Sequence, residues 1–158
     1  MDKKFIFICV IVLMLSVGAV SAVNWDTKTF DNAFSIKVPS GSDFKEQPTD
    51  DGTGFNNLNV SFKMYVDEKN QILLMYNDIP LISNDSVGWF YHNMFVSLNP
   101  DLDSCYETQN GNLKFLKPIQ QSPTNMALAG FNQGNKTIMV VGTDYDLVYD
   151  MGKTIKFI

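Results

Sequence analysis

Two apolar runs constrain the fold of this chain more than any other feature of its sequence. Residues 72–76 read ILLMY and residues 137–141 read TIMVV, with almost no polar side chain to turn toward water. A strand that is apolar at successive positions is covered on both faces, whereas an alternating strand has one wet face. Each run follows a turn-forming stretch, DEKN or NQGN, and a further strand-like segment. The sequence therefore predicts two β-hairpins whose second arms are covered on both faces.

Other segments also have strand-like patterns. TKTF is followed by FSIKVP, in which apolar and polar residues alternate as in a half-buried strand. A strand near Cys105 and another over residues 113–119 flank the pair Asn110-Gly111, which is a strong signal for a tight hairpin. The stretch SGSDFKEQPTDDGTG is rich in turn-forming residues and predicts a solvated loop.

Helical periodicity occurs in two places. At 100° per residue, the segment DSVGWFYHNMFVSL places six apolar side chains within one arc that would face a sheet. These are Val87, Phe90, Tyr91, Met94, Phe95 and Leu98. Near the end of the chain, Asp144 is a candidate N-cap, and apolar residues up to Ile155 have helical spacing, so we expect a terminal helix. The pattern predicts an α+β fold, an antiparallel β-sheet flanked by helices.

The N-terminus has the layout of a secretory signal peptide. Two lysines precede an apolar run that ends in small residues at Ala22. Cleavage there would remove residues 1–22 and leave residues 23–158 as a single exported domain, extracellular or at the cell envelope. The alternative is an uncleaved membrane anchor over residues 5–23, because this stretch approaches the ~20 residues that span a bilayer.

The charge of the chain restricts its partners. It carries a net charge of −5 and contains no arginine. Binding to nucleic-acid phosphates requires clustered lysine and arginine. We therefore expect no nucleic-acid partner, and membrane contact only if the N-terminal segment stays attached.

Residues for catalysis and metal binding are scarce. His92 is the only histidine, and Cys105 is the only cysteine after the predicted signal peptide. One chain cannot build the usual Cys/His zinc site from these two residues, and histidine-dependent nucleophilic catalysis would require His92 to meet Cys105 or a serine in space. A phosphate-binding glycine loop and a dinucleotide motif are both missing from the sequence. The expectation is a non-enzymatic domain with no cofactor, metal or catalytic residue.

Two groups of aspartates could suggest calcium. Asp101 and Asp103 form one group, and Asp144, Asp146 and Asp150 form the other. Neither fits the twelve-residue calcium loop, so we interpret both as helix caps and solvated turns.

A candidate binding surface lies on the polar side of the predicted helix. His92 falls outside the apolar arc, on the side of Gly88 and Val96 and near Trp89. It is either a surface imidazole beside an exposed tryptophan or part of a shallow aromatic patch. If the domain works by binding, the predicted patch is Trp89, His92 and Val96.

Glycosylation is a further candidate modification of an exported chain. Three Asn-x-Ser/Thr acceptors occur, at Asn59, Asn84 and Asn135. A glycan would be tolerated at a helix start or in a turn, as expected for Asn84 and Asn135, whereas Asn59 falls within a predicted strand.

Two stretches resemble a known fold family. FSIKVPSGSDF resembles the F-x-I-x-x-P-x-G-W motif of domains with the PsbP/Mog1-like fold, although Ser42 stands where the family has tryptophan. GNKTIMVVGTDYDLVYDMGKTIKF resembles the final strand and helix of these domains, and of small exported proteins of unassigned function from methanogenic archaea. The resemblance implies a sheet flanked by helices in a PsbP/Mog1-like sandwich, and a role as an accessory or binding subunit.

Three functions remain open from the sequence. The leading hypothesis is an exported, non-enzymatic accessory or binding domain that binds a protein or cell-surface ligand at the envelope. The second is a carboxylate-dependent hydrolase of envelope polymers, which needs two converging acids. The third is a membrane-tethered structural surface protein.

Overall fold

A computed structural model describes residues 23–48, 62–78, 84–100, 102, 104–120 and 122–158. Its helices are α1 (Asn84–Leu98) and α2 (Tyr145–Gly152). Its strands, in chain order, are β1 (Trp25–Phe30), β2 (Phe34–Pro39), β3 (Lys45–Gln47), β4 (Phe62–Asp67), β5 (Ile72–Asp78), β6 (Cys105–Asn110), β7 (Leu113–Pro118), β8 (Ala127–Gln133), β9 (Lys136–Gly142) and β10 (Lys156–Phe157).

The strands form two antiparallel sheets. The large sheet has seven strands in the order β3-β4-β5-β9-β8-β7-β6, and the small sheet has the order β1-β2-β10. The predicted hairpins β4–β5 and β8–β9 are confirmed, and their second arms pair with each other at the centre of the large sheet. β5 and β9 are buried at nearly every position, as their continuous apolar runs predict.

Tight turns fix the register of two neighbouring hairpins. The turns of β6–β7 and β8–β9 each consist of two residues, Gly111-Asn112 and Gly134-Asn135. Each begins with a glycine at positive φ, 58° and 60°, while the asparagine keeps a negative φ, which is the type II′ geometry that suits a twisted hairpin. These two turns bring four hairpin arms to the same end of the large sheet.

Helix α1 covers one face of the large sheet, which we call the α1 face. The described part of its predicted apolar arc, from Phe90 to Leu98, is buried against side chains of β4, β5, β7, β8 and β9. Strand residues on this face include Leu73, Met75 and Leu128. The prediction of an amphipathic helix with this buried arc is confirmed.

The opposite face, which we call the sandwich face, is covered by the small sheet and α2. Phe34, Ile36 and Val38 of β2 pack with Leu74 and Val140 of the large sheet. α2 adds its own buried side chains to the same cluster, among them Val148 and Met151.

The predicted α+β fold class, with one sheet flanked by helices, is wrong. The described residues are mostly in strands, with two helices, and the two antiparallel sheets stack in a β-sandwich-like fold. The sandwich face is covered by the small sheet together with α2, not by helices alone. Alternation in a sequence shows that a strand has one buried face, but it does not show which sheet the strand joins.

The terminal helix is also shorter than predicted. α2 ends at Gly152, so Ile155 lies beyond it, and residues 156–157 pair with β2 as strand β10. The Thr154 hydroxyl and backbone N–H both donate to the carbonyl oxygen of Met151, at 2.7 Å and 2.9 Å, in the last turn of the helix. Two β-branched residues, Thr154 and Ile155, then favour the extended backbone that leads into β10.

Two further predictions, the solvated loop and the signal peptide, concern segments that lie partly or wholly outside the described residues. The stretch predicted as a solvated loop contains β3, which pairs with β4 at the edge of the large sheet, while residues 49–61 lie outside the described residues. The predicted signal peptide, residues 1–22, lies outside them as well. Within the described residues, neither α1 nor α2 has the length and hydropathy that crossing a membrane requires.

Candidate functional site

The predicted patch lies on the exposed side of α1. The Trp89 side chain is 57% exposed, Val96 is 43% exposed, and His92 is also exposed. The polar neighbours on this side bond to the helix itself: the Asn93 amide donates to the Trp89 carbonyl at 2.7 Å, and the Ser97 hydroxyl donates to the Asn93 carbonyl at 2.8 Å. The surface therefore presents an aromatic, an imidazole and an aliphatic side chain on a helix whose other side is anchored in the core.

Gly88, which the sequence places on the same side of α1 as His92, faces the large sheet. A Cβ atom at Gly88 would lie 3.0 Å from the Lys114 Nζ, so this position of the helix faces strand β7. His92 follows one turn later on the same side of the helix. The patch is thus adjacent to a feature that the sequence did not predict, a pocket between α1 and the sheet.

The pocket has a volume of 160 Å³ and opens between the N-terminal half of α1 and the hairpin turns. We call it the α1 pocket. Gly88 and Tyr91 line it from the helix, residues 111–112 line it from the β6–β7 turn, and the remaining lining side chains come from β6, β7 and β8. These are Gln109, Lys114 and Asn132.

A row of polar side chains continues from the pocket along the α1 face. Asn132 pairs across the strands with Thr137, and Thr137 pairs in turn with Asn77. Asn77 alternates with Leu73 and Met75 on β5, so its side chain shares their face of the sheet. This row is unusual in a core, because Asn77 is 1% exposed and Thr137 is 3% exposed.

Several polar atoms in this region have no partner. Among the described residues, neither the amide nitrogen nor the amide oxygen of Asn77 makes a hydrogen bond, and the Tyr91 hydroxyl makes none of normal geometry. The Tyr91 hydroxyl lies near Thr137, which acts to lower its pKa, but burial dominates and raises that pKa. Tyr91 therefore stays a neutral hydroxyl that can both donate and accept.

The aromatic ring of Tyr91 is held flat against the sheet. A Cβ atom at Gly130 would lie 2.5 Å from the ring carbon that carries the hydroxyl. Only glycine leaves enough room for the ring at this position of β8. Gly130 thus positions Tyr91 over the sheet, beside the pocket.

The charge in the pocket is balanced. Lys114 is 18% exposed, and its amine lies 2.6 Å from the Glu107 carboxylate on the neighbouring strand. An ammonium that is already paired offers little net attraction to an anion. What the pocket offers is hydrogen bonding by amide and hydroxyl groups.

The other predicted groups do not converge on a reactive centre. Within the described residues, no three side chains among His, Cys, Asp and Glu lie close enough to hold a metal ion. The Asp144 carboxylate accepts a hydrogen bond from the Leu147 backbone at 3.0 Å, which confirms it as a helix cap. Asp150 pairs with Lys153 at 2.6 Å, and Asp101 and Asp103 lie outside the described residues.

Cys105 is half-buried at the start of β6 and packs against the α1 core. Burial, with a smaller contribution from Glu107, raises the pKa of its thiol. A raised pKa disfavours the thiolate, which is the reactive form. Cys105 therefore has the environment of an unreactive packing residue.

The three glycosylation candidates have different surroundings. Asn135 is exposed in the β8–β9 turn, Asn84 is the first residue of α1, and Asn59 lies outside the described residues. Asn135 also borders an open groove of 510 Å³ between this turn and the C-terminal residues Phe157 and Ile158. An acceptor in such a turn is accessible to modification.

The pocket residues could not be identified from local sequence patterns. The sequence did contain a signal, because asparagine, glutamine and glycine recur in the QNGN and NQGN stretches. By themselves, these patterns predict only turns. No protein-family model matches the sequence, and a search of curated proteins finds no significantly similar sequence.

Proposed function

We propose that this chain is an exported, non-enzymatic binding domain of the cell envelope that holds a protein partner on the outer side of α1. The observation that carries the proposal is the exposure of Trp89, 57%, on a helix that is fixed by its buried side. Exposed tryptophan beside aliphatic and polar groups is characteristic of residues that dominate binding energy at protein interfaces. His92 and Val96 complete a surface that needs no rearrangement before binding.

The alternative, a carboxylate-dependent hydrolase, needs two acids that share a pocket. Of the two pockets described above, the groove at the C-terminus contains Asp78 alone and the α1 pocket contains no acid. The buried carboxylate of Asp67 is bonded to Asn70 at 2.6 Å within the β4–β5 turn. These positions favour a binding role over a hydrolytic one.

The experiment compares two equally exposed aromatic residues. Tyr106, on β6, is 56% exposed and lies outside the proposed surface, so Tyr106→Ala is a matched control for Trp89→Ala. Tagged protein is recovered from the envelope fraction of its own cells, and native mass spectrometry identifies any companion protein. The affinity of the purified pair is then measured.

We expect Trp89→Ala to weaken the complex at least about 30-fold, as for an interface residue worth ~2 kcal/mol, and Tyr106→Ala to leave it unchanged. Equal affinities for the two variants, or recovery of the wild-type protein without any companion, would contradict the proposal. Turnover of glycoside, ester or peptide substrates that a carboxylate substitution abolishes would favour the hydrolase instead.

A further inference from the structure

The α1 pocket combines an opening to solvent with buried polar groups that the fold leaves unused. Tyr91 lines the pocket, is 1% exposed, and makes no hydrogen bond of normal geometry through its hydroxyl within the described residues. Behind it lies the equally unbonded amide of Asn77. A buried polar atom without a partner costs free energy, and the large majority of buried side-chain polar atoms in folded proteins have a partner.

The size of the pocket limits what can supply the missing bonds. A volume of 160 Å³ corresponds to about five water molecules at ~30 Å³ each. This is more space than one bridging water needs and less than the ~300 Å³ where pockets for drug-sized ligands begin. The pocket therefore fits a small molecule or the end of a chain, such as a single six-membered ring.

The chemistry of the lining identifies the class of ligand. Gln109 and Asn132 carry side-chain amides, each of which can donate through nitrogen and accept through oxygen. The Tyr91 hydroxyl can also do both. Adjacent hydroxyl groups of a sugar have the same dual character, whereas an anion would need an unpaired cation, and Lys114 is paired with Glu107 at 2.6 Å.

We propose that the α1 pocket binds one neutral, hydroxyl-rich ring, a sugar that is either free or the terminal residue of a glycan. Tyr91 and Asn132 hydrogen-bond to its hydroxyl groups, and Asn77 and Thr137 extend the polar row behind them. This site is separate from the protein-binding surface around Trp89 and does not depend on it.

The test is an NMR titration of the isotope-labelled protein with glucose, mannose and N-acetylglucosamine, with inorganic phosphate as the charged comparison. At least one sugar should shift the backbone signals of Gly88 and Asn132 in a saturable way, and phosphate should not. The methyl glycoside and a disaccharide of the sugar that binds distinguish a free monosaccharide from the end of a glycan. Failure of every sugar, or saturable binding of phosphate alone, would show that the pocket holds only water or an anion and would overturn the proposal.

Two tyrosines provide a matched pair of variants. The hydroxyls of Tyr91 and Tyr145 are both buried and make no hydrogen bond of normal geometry in the described residues, but Tyr145 lies on the sandwich face, away from the pocket. Tyr91→Phe should weaken sugar binding about fivefold, as for one lost hydrogen bond, while Tyr145→Phe leaves it unchanged. Both variants should remain folded, because each loses only a hydroxyl that makes no hydrogen bond of normal geometry within the described residues.

Asn132→Ala provides a second variant at the half-buried mouth of the pocket. It should weaken binding of the same sugar without affecting the capture of a protein partner. Equal sugar affinity in wild type, Tyr91→Phe and Asn132→Ala would overturn the pocket proposal even if the Trp89 surface proves correct.

Discussion

Two buried asparagines on the same side of the large sheet are bonded in opposite ways. Asn99, directly after α1, donates from its amide nitrogen to the carbonyl oxygens of Phe95 at 3.1 Å and Met126 at 3.0 Å. Its amide oxygen accepts from the Met126 backbone at 2.8 Å. Asn77, near the end of β5, makes no side-chain hydrogen bond to any described residue, although it is equally inaccessible to water.

The contrast distinguishes buried polar groups whose hydrogen bonds stabilise the fold from buried polar groups that contribute no hydrogen bond to its stability. Asn99 connects the end of α1 to the start of β8. Three hydrogen bonds offset the free-energy cost of burying its side-chain amide. For Asn77, no side-chain hydrogen bond within the described residues offsets this cost. A hydrophobic residue would serve the core better at that position, which is why we assign the polar row to ligand binding rather than to stability.

The largest expected effect comes from removing the paired asparagine. Asn99→Ala should lower the free energy of unfolding by about 3 kcal/mol, because it breaks three hydrogen bonds and leaves buried backbone groups of Met126 unpaired. Asn77→Ala removes the same atoms but no hydrogen bond, and should change the free energy of unfolding by no more than about 1 kcal/mol. Urea denaturation of the two variants measures both values, and equal losses would contradict the contrast.

A second pair of variants tests how tightly Tyr91 is held. Gly130→Ala places a methyl group 2.5 Å from the Tyr91 ring and should destabilise the protein by about 2 kcal/mol through overpacking. Gly88→Ala meets only the flexible end of Lys114 at 3.0 Å, and should gain up to about 1 kcal/mol from the higher helix propensity of alanine.

Differential scanning calorimetry distinguishes these outcomes, because the midpoint should fall for Gly130→Ala and rise or stay constant for Gly88→Ala. A midpoint for Gly130→Ala equal to that of wild type would mean that the Tyr91 ring moves freely. The pocket would then lack the rigid wall that the sugar proposal requires.

The sequence predicted elements better than their assembly. The runs at residues 72–76 and 137–141 are apolar apart from Thr137, and this alone predicts β5 and β9 as strands covered on both faces. The arc from Phe90 to Leu98 likewise predicted which side of α1 is buried. These patterns are local, so a single sequence contains them.

The two-sheet arrangement and the pocket depend on contacts between distant segments. β10 joins β2 across more than a hundred residues, and nothing in its two residues indicates a strand partner. The polar row beside the pocket depends on a register that aligns Asn132, Thr137 and Asn77, and a shift of one residue would move these side chains to the other face. The burial of Tyr91 was predictable, but its unpaired hydroxyl was not, because pairing depends on neighbours that only the fold supplies.

The smallest expected effect concerns a tyrosine that is paired, Tyr65 on the sandwich face. Its hydroxyl donates to the Asp31 carboxylate, which also lies 2.6 Å from the Lys63 amine. Hydrogen bonds from Lys63 and then Tyr65 hold the pKa of Asp31 below its ordinary value of 3.8. Because the folded-state pKa is lowered, the carboxylate stabilises the fold above pH 3.8, and this contribution is lost as the pH falls through the folded-state value.

Asp31→Asn removes this charge at a position where φ is 49°, a conformation that asparagine tolerates. The variant should be less stable than wild type at pH 7, and the difference should shrink as the pH falls below 3.8. Urea denaturation of both proteins from pH 7 to pH 2 measures this difference in stability.

Asp43→Asn is the control. The Asp43 carboxylate is 80% exposed and lies 3.9 Å from the Lys45 amine, so removing its charge should change the stability little at any pH. If the difference in stability between Asp31→Asn and wild type did not change with pH, the hydrogen bond from Tyr65 would gain nothing from the charge on Asp31. The contrast between paired and unpaired polar groups would then fail on the sandwich face.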